Sequence, residues 1–132
     1  MQTPEFKARQ EASAIVSQML LLIVRLLLEG YDRNGEHIGA VWPELMIGMT
    51  IRLNDDRGHP PISQLAIVRA TGMPRGSVQR WLDILVEQRV VQKSGPGYIC
   101  DESHLQERLH SRHFKRVVRA IRAAARLLKD YE

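Results

Sequence analysis

Apolar side chains at Ala12, Ile15, Val16, Met19, Leu20, Ile23, Leu26 and Leu27 recur every three or four residues, the period of an α-helix. Leu21, Leu22, Val24 and Leu28 fill the remaining faces. Thr3-Pro4 supplies a start, with proline at the first helical position, and Gly30 supplies a stop. A terminal helix that is apolar nearly all round has to be covered on several sides, which predicts a second subunit packed on it. Residues 31–39 then read as a polar loop. Asp32, Asn34 and Glu36 have some of the spacing of a calcium loop, but His37 stands where the sixth-position glycine belongs and no glutamate occupies the twelfth position. Pro43 opens a second predicted helix to about Leu53, with Leu45, Met46, Met49 and Leu53 inward. The polar, Gly- and Pro-rich stretch Asn54–Pro61 ends it.

The next segment alternates helix and turn at close spacing. Ser63 is a good N-cap, and Ile62 is placed to staple onto Ile67. A short helix to about Ala70 leads into the tight turn Thr71-Gly72-Met73. Pro74 then begins a helix to about Gln88, whose buried stripe is Val78, Trp81, Leu82 and Leu85. Val90-Val91 and Tyr98-Ile99 are short β-type runs around the hairpin tip Lys93-Ser94-Gly95-Pro96-Gly97. Ser103 with Gln106 forms a capping-box signature for one last helix. Its apolar stripe is Phe114, Val117, Val118, Ile121, Ala124, Ala125, Leu128 and Tyr131.

The expected architecture is therefore mainly α with a small β-hairpin: a single domain over residues 1–132. Residues 1–30 and 101–132 form flanking dimerisation helices around a core at 40–100. The length of 132 residues suits one domain with its own core. Apolar residues at 44% and charged residues at 26% are ordinary for a soluble globular chain and argue against disorder. The single cysteine, Cys100, rules out an internal disulfide and a Cys-rich zinc site, and suggests a reducing, cytoplasmic compartment. Residues 12–28 fall short of the about 18 uninterrupted apolar residues of a membrane span, and no basic flank of a signal peptide precedes them. No membrane insertion and no export are expected.

Charge is unevenly distributed. The net charge is +4, yet residues 1–61 carry 6 basic and 8 acidic groups, residues 62–100 carry 5 and 2, and residues 101–132 carry 8 and 5. A basic partner surface is therefore expected only after residue 61, and a basic field suggests a polyanion without being specific for one.

The exposed residues of the short-turn segment give that surface chemistry. Val68, Gly72 and Val78 have the spacing of a helix-turn-helix: a compact residue, a glycine four positions on for the left-handed turn, and a buried aliphatic ten positions on. Arg75, Gly76, Ser77, Gln79 and Arg80 lie off the buried stripe at the start of the second helix, the end that meets base edges in a major groove. Arginine bonds guanine twice, and glutamine does the same with adenine. Ser77 and the helix N-terminus suit phosphate. Ser63 at the first helix start, and Lys93, Ser94 and Gly95 on the hairpin, complete the candidate DNA-binding set.

Helix, short helix, turn, helix and hairpin together make the layout of a winged helix-turn-helix. The stretch from Pro61 to Cys100 resembles bacterial winged-helix transcription regulators, and with a long helix on each side the chain looks most like the MarR type. The motif covers about 40 residues, and helix order alone covers the rest. The resemblance implies a cytoplasmic homodimer, interlocked through its terminal helices, that reads a near-palindromic operator, usually as a repressor. It also places Arg75, Ser77, Gln79 and Arg80 at base- and phosphate-contacting positions. Three features depart from the family pattern. Arg89 stands where a glycine is usual, the hairpin lacks an Asp-x-Arg signature, and Val68 replaces the usual alanine.

Other chemistries have thin support. No Gly-rich phosphate loop, nucleophile elbow or metalloprotease motif is present, so no enzyme is expected. His104, His110, His113 and Glu107 gather on the last predicted helix, but a metal needs three or four convergent ligands, and surface histidines are the ordinary reading. No metal or cofactor is expected, and a small-molecule effector is unspecified by the residues. The basic residues of the last helix extend a DNA footprint or form a solvated face. The alternative function is a protein–protein interaction module with only non-specific DNA binding. An aromatic content of 5% disfavours a base-stacking single-strand binder.

Overall fold

The computed structural model of the chain describes residues 3–30 and 37–131. The loop with Asp32, Asn34 and Glu36 lies outside the described residues. In chain order the elements are α1 (Pro4–Gly30), α2 (Ile38–Asp56), α3 (Gln64–Thr71), α4 (Arg75–Glu87), β1 (Val91–Ser94), β2 (Gly97–Cys100), α5 (Glu102–Leu109) and α6 (Arg112–Leu127). The described residues are thus mainly helical with one antiparallel hairpin. They divide into two compact units, one drawn from Met1–Glu36 and His110–Glu132, the other from His37–Leu109.

The first unit is an antiparallel pair of helices. Glu29, near the end of α1, lies 3.3 Å from Arg116 and 3.9 Å from His113, near the start of α6. At the opposite end Ala8 and Ala12 share a concavity with Leu128 and Tyr131. Thr3 caps α1 by accepting the Phe6 N–H at 3.1 Å. Ala12 and Leu26 of α1 and Ala120 and Ala124 of α6 are buried. Alanines let the two backbones approach closely. Phe114, Ile121 and Tyr131, part of the expected apolar stripe of the last helix, are about half exposed. The side facing α1 is rotated towards the alanines, because α6 has apolar residues on more than one side. On α1, Leu20 and Leu21 remain exposed at 53% and 69%. By length and composition α1 is apolar enough to cross a membrane, a property that counting uninterrupted apolar residues had missed because Arg25 and scattered polar residues break the run.

In the second unit α2 starts at Ile38, five residues before Pro43, which lies inside the helix and forgoes one backbone bond there. Its buried apolar residues are Val41, Leu45, Ile47 and Ile51, whereas Met49 and Leu53 are exposed at 47% and 52%. The stretch is apolar on several sides, so its spacing alone did not select the inward face. Ile47 and Ile51 join Ile67 of α3, Val78, Leu82 and Leu85 of α4, Val91 of β1 and Tyr98 of β2 in one core. Trp81 is only partly buried and packs against this core, as do Ile62 and Val68.

The hairpin is held from both sides. Its strands pair Val91 with Cys100, Gln92 with Ile99, Lys93 with Tyr98 and Ser94 with Gly97, leaving Gly95-Pro96 as a two-residue tip. Gly95 has φ +58°, which with proline next fits a tight hairpin turn. On the other edge Ile62 exchanges two backbone bonds with Tyr98, at 3.1 and 2.9 Å. Ile62 therefore serves as a strand residue as well as bordering the core. A side chain on Gly97 would collide with the Pro61 carbonyl. Behind the hairpin, the Cys100 N–H donates to the Asp55 carboxylate of α2 at 2.8 Å.

The C-terminal stretch is two helices and not one. Asp101, not Ser103, caps α5, accepting the His104 N–H at 3.0 Å. That bond, and then the Gln92 amide at 2.8 Å, hold the Asp101 carboxyl below its usual range. Ser111 caps α6 by accepting the Phe114 N–H at 3.1 Å, and this internal cap breaks the run of helical spacing.

The end of α4 is a Schellman motif. The Arg89 N–H donates to Val86 and the Val90 N–H to Leu85, at 3.0 and 2.9 Å, with Arg89 at φ +60°. Arg89 thus occupies the left-handed position where glycine is favoured. Arg89→Gly is expected to stabilise the protein by about 0.5–1 kcal/mol, read as a higher urea midpoint. Gly97→Ala is expected to lower that midpoint by the equivalent of about 1–3 kcal/mol, because the opposing atoms are backbone and have little room to yield.

Candidate nucleic-acid interface

The short turn between α3 and α4 follows from three residues. Thr71 Oγ1 donates back to the Ile67 carbonyl at 2.8 Å and accepts the Met73 N–H at 3.2 Å, closing the corner. Gly72 takes φ +70°, a conformation that costs other residues about 1–2 kcal/mol. Pro74 is the N-cap residue of α4 and fixes the backbone entering it. Val78 and Leu82, both fully buried, then set the rotation of α4 on the core.

That rotation decides which candidates face outward. Helical steps of about 100° put Gly76, Arg80, Asp83 and Glu87 opposite the buried stripe, with Ser77 and Gln79 on its two flanks. Arg75, Gly76 and Arg80 are exposed, Ser77 and Gln79 half-buried. No side chain caps the α4 N-terminus, so its first backbone N–H groups are free of side-chain competition for an anion. Gly76 and Arg80 thus share the outward face of the first two turns, Arg75 is exposed at the helix start, and Ser77 and Gln79 stand at the margins.

Gln79 is not idle. Its Nε2 donates to Asp83 Oδ1 at 2.8 Å on the same helix, so a base contact by Gln79 has to displace this bond. Asp83 and Glu87 make the far half of the outer face acidic, so its cationic part is confined to the N-terminal half. Ser63 accepts the Ala66 N–H at 3.1 Å as the N-cap of α3, which leaves its hydroxyl hydrogen to donate elsewhere. The Gln64 side chain reaches the Arg75 carbonyl at 3.5 Å, tying the starts of α3 and α4.

On the hairpin, Lys93 and Gly95 are exposed and Ser94 is half-buried at the last pair before the tip. The tip itself carries no charge. Two exposed cations were left out of the candidate set: Arg69 in the last turn of α3, and Arg89 at its left-handed position. The residue-type signal was present for both.

The other candidate chemistries separate. His104 lies on α5 and His113 on α6, with Ser111 breaking the helix between them. Among the described residues no group of three His, Cys, Asp or Glu side chains is placed to hold a metal. Burial, and then Arg108, push the His104 imidazole below its usual value. Cys100 is half-buried, and burial followed by the neighbouring Asp55 carboxylate pushes its thiol up to about 11.

No family model matches the chain, and no match was found among curated proteins or solved structures.

The thiol environment sets a pH dependence. Below pH 9 the thiol is protonated in folded and unfolded chains alike, whereas between about 9 and 11 only the unfolded chain releases its proton. Folding stability is therefore expected to fall across that interval, and Cys100→Ala is expected to flatten this part of the decline in denaturant midpoints measured from pH 8 to 11. At pH 8 the native thiol is expected to react with a disulfide reagent far more slowly than the urea-unfolded chain.

Proposed function

We propose that this chain is a sequence-specific, double-stranded DNA-binding transcriptional regulator of winged helix-turn-helix form, most like the MarR type. The single observation that carries this reading is the α3–Gly72–α4 corner, which leaves Gly76 and Arg80 outward on the first two turns of α4 and Arg75 exposed at its start. In this reading α4 is the recognition helix and the hairpin is the wing. The Ile62–Tyr98 pairing supports it by adding a third strand segment to the wing.

Affinity comes from phosphate contacts by the N-terminus of α4, Ser63, Ser77 and Lys93, and discrimination from Arg75, Gln79 and Arg80. The protein acts in the cytoplasm as a homodimer, as a repressor on a near-palindromic operator. Exposed Leu20 and Leu21 of α1 and Phe114 and Ile121 of α6 support an apolar seam between two copies. The two recognition helices then sit roughly 34–36 Å apart, one turn of DNA. A second reading, a protein-docking module, draws on the uncharged hairpin tip and the engaged Gln79.

Fragmented genomic DNA, retained on the purified protein at physiological salt and sequenced, separates the two. A few sites sharing an inverted repeat are expected. Uniform weak retention that salt abolishes excludes the sequence-specific reading. On a recovered site Arg80→Ala is expected to cost about 1–3 kcal/mol and relax the choice at one base pair. Unchanged affinity and preference in that variant remove Arg80 from the interface.

A further inference from the structure

We infer that the cationic stripe of α6 is a second contact for duplex DNA, laid along its sugar-phosphate backbone and indifferent to base sequence. The inference rests on the DNA-binding reading above but assigns a surface outside the helix-turn-helix. From Arg112 to Leu127 the helix contains no acidic residue. Helical steps place Arg112, Lys115, Arg119, Arg122 and Arg126 on one continuous stripe, away from Ala120 and Ala124, which are buried on the α1 side, and Lys129 follows in the turn beyond the helix end. All six are exposed, and among the described residues none of them is held in an ion pair. Among the described residues, Arg116 is the arginine of α6 that reaches a carboxylate, that of Glu29, which His113 also approaches.

A helix face that merely meets water gains by mixing signs at three- and four-residue spacing. This face does the reverse. Like charges repeat at that spacing along its whole length, and Arg112 and Lys115 oppose the positive end of the helix dipole. Both arrangements cost stability in the free protein and are relieved by a polyanion. The stripe from Arg112 to Arg126 is roughly 21 Å long. A duplex strand presents a phosphate every 3.4 Å of its axis, so several lie within reach. Four of the six residues are arginines, whose planar fork bonds two phosphate oxygens at once.

An anionic membrane surface shares the phosphate chemistry but fits the helix less well. An interfacial helix buries the face opposite its charges in the acyl boundary. On α6 that face carries Ala120 and Ala124, which are buried on the α1 side, with Phe114 and Ile121 about half exposed at its edge.

The test uses the full chain and a random-sequence duplex, with binding followed by fluorescence anisotropy over a salt series. Arg119→Gln/Arg122→Gln/Arg126→Gln is expected to reduce the slope of log affinity against log salt by about two to three, while leaving the ranking of genomic sites unchanged. The corresponding triple lysine variant is expected to keep the slope, which separates charge from loss of fold. Arg75→Ala/Arg80→Ala is expected to lose site ranking and keep the contribution of the stripe. An unchanged slope in the glutamine variant overturns the inference and leaves the regulator reading standing. Wild-type protein that binds no duplex overturns both. Sedimentation with phosphatidylglycerol vesicles that the glutamine variant alone loses, with duplex binding unaltered, assigns the stripe to lipid and overturns the DNA contact.

Discussion

The second unit depends on one close approach of backbone to backbone. Pro61 and Ile62 pass so near Gly97 that no side chain fits there, and Ile62 exchanges both of its backbone bonds with Tyr98. This contact joins the segment leading into α3 to the middle of the hairpin. Tyr98 is buried in the same core as Ile67, Val78 and Leu82, so the hairpin, the short helix and α4 share one frame of reference. Asp55 extends that frame to α2 through the Cys100 N–H, and Asp101 extends it to α5.

The electrostatic character of α4 follows from that frame. Fixing Val78 and Leu82 inward leaves Gly76 and Arg80 outward, with Asp83 and Glu87 behind them on the same face. The helix is thereby polarised along its length, cationic with open backbone donors at its start and acidic towards its end. Such a gradient suits end-on approach to a polyanion better than lengthwise contact. The Gln79–Asp83 bond sits at the junction of the two halves, so the side chain best suited to adenine is also the one whose present partner is acidic.

Much of this was legible in residue order. Ser63 as a cap, Gly72 at the corner, Val78 and Leu82 as anchors, and the hairpin around Gly95-Pro96 are all local signals, each legible without knowledge of distant residues. What was not legible depends on contacts or on competition. Met49 and Leu53 were placed inward because α2 is apolar on several sides, and only packing chooses among them. The final helix was read as continuous because its spacing persists, yet Ser111 and Asp101 offer caps strong enough to divide it. Ile62 was seen as a staple, and its pairing with Tyr98 required knowing that a strand 36 residues away would lie beside it. At Arg89 the sequence pointed to a missing glycine, and the structure puts the arginine in the backbone conformation a glycine would have relieved.

The division of the chain also bears on the order in which it acquires structure. The unit from His37 to Leu109 is a single uninterrupted stretch, whereas the helix pair draws on both ends of the sequence. During synthesis α1 leaves the ribosome before its partner α6, with about 80 residues between them. The inner unit has every segment it requires before α6 exists. Throughout that interval α1 is a long apolar helix whose intended cover has not been made, and its side chains at Ala12 and Leu26 have nothing from this chain to pack against. α1 is therefore most vulnerable to capture by chaperones, or to association with other nascent chains, in the interval before α6 is made.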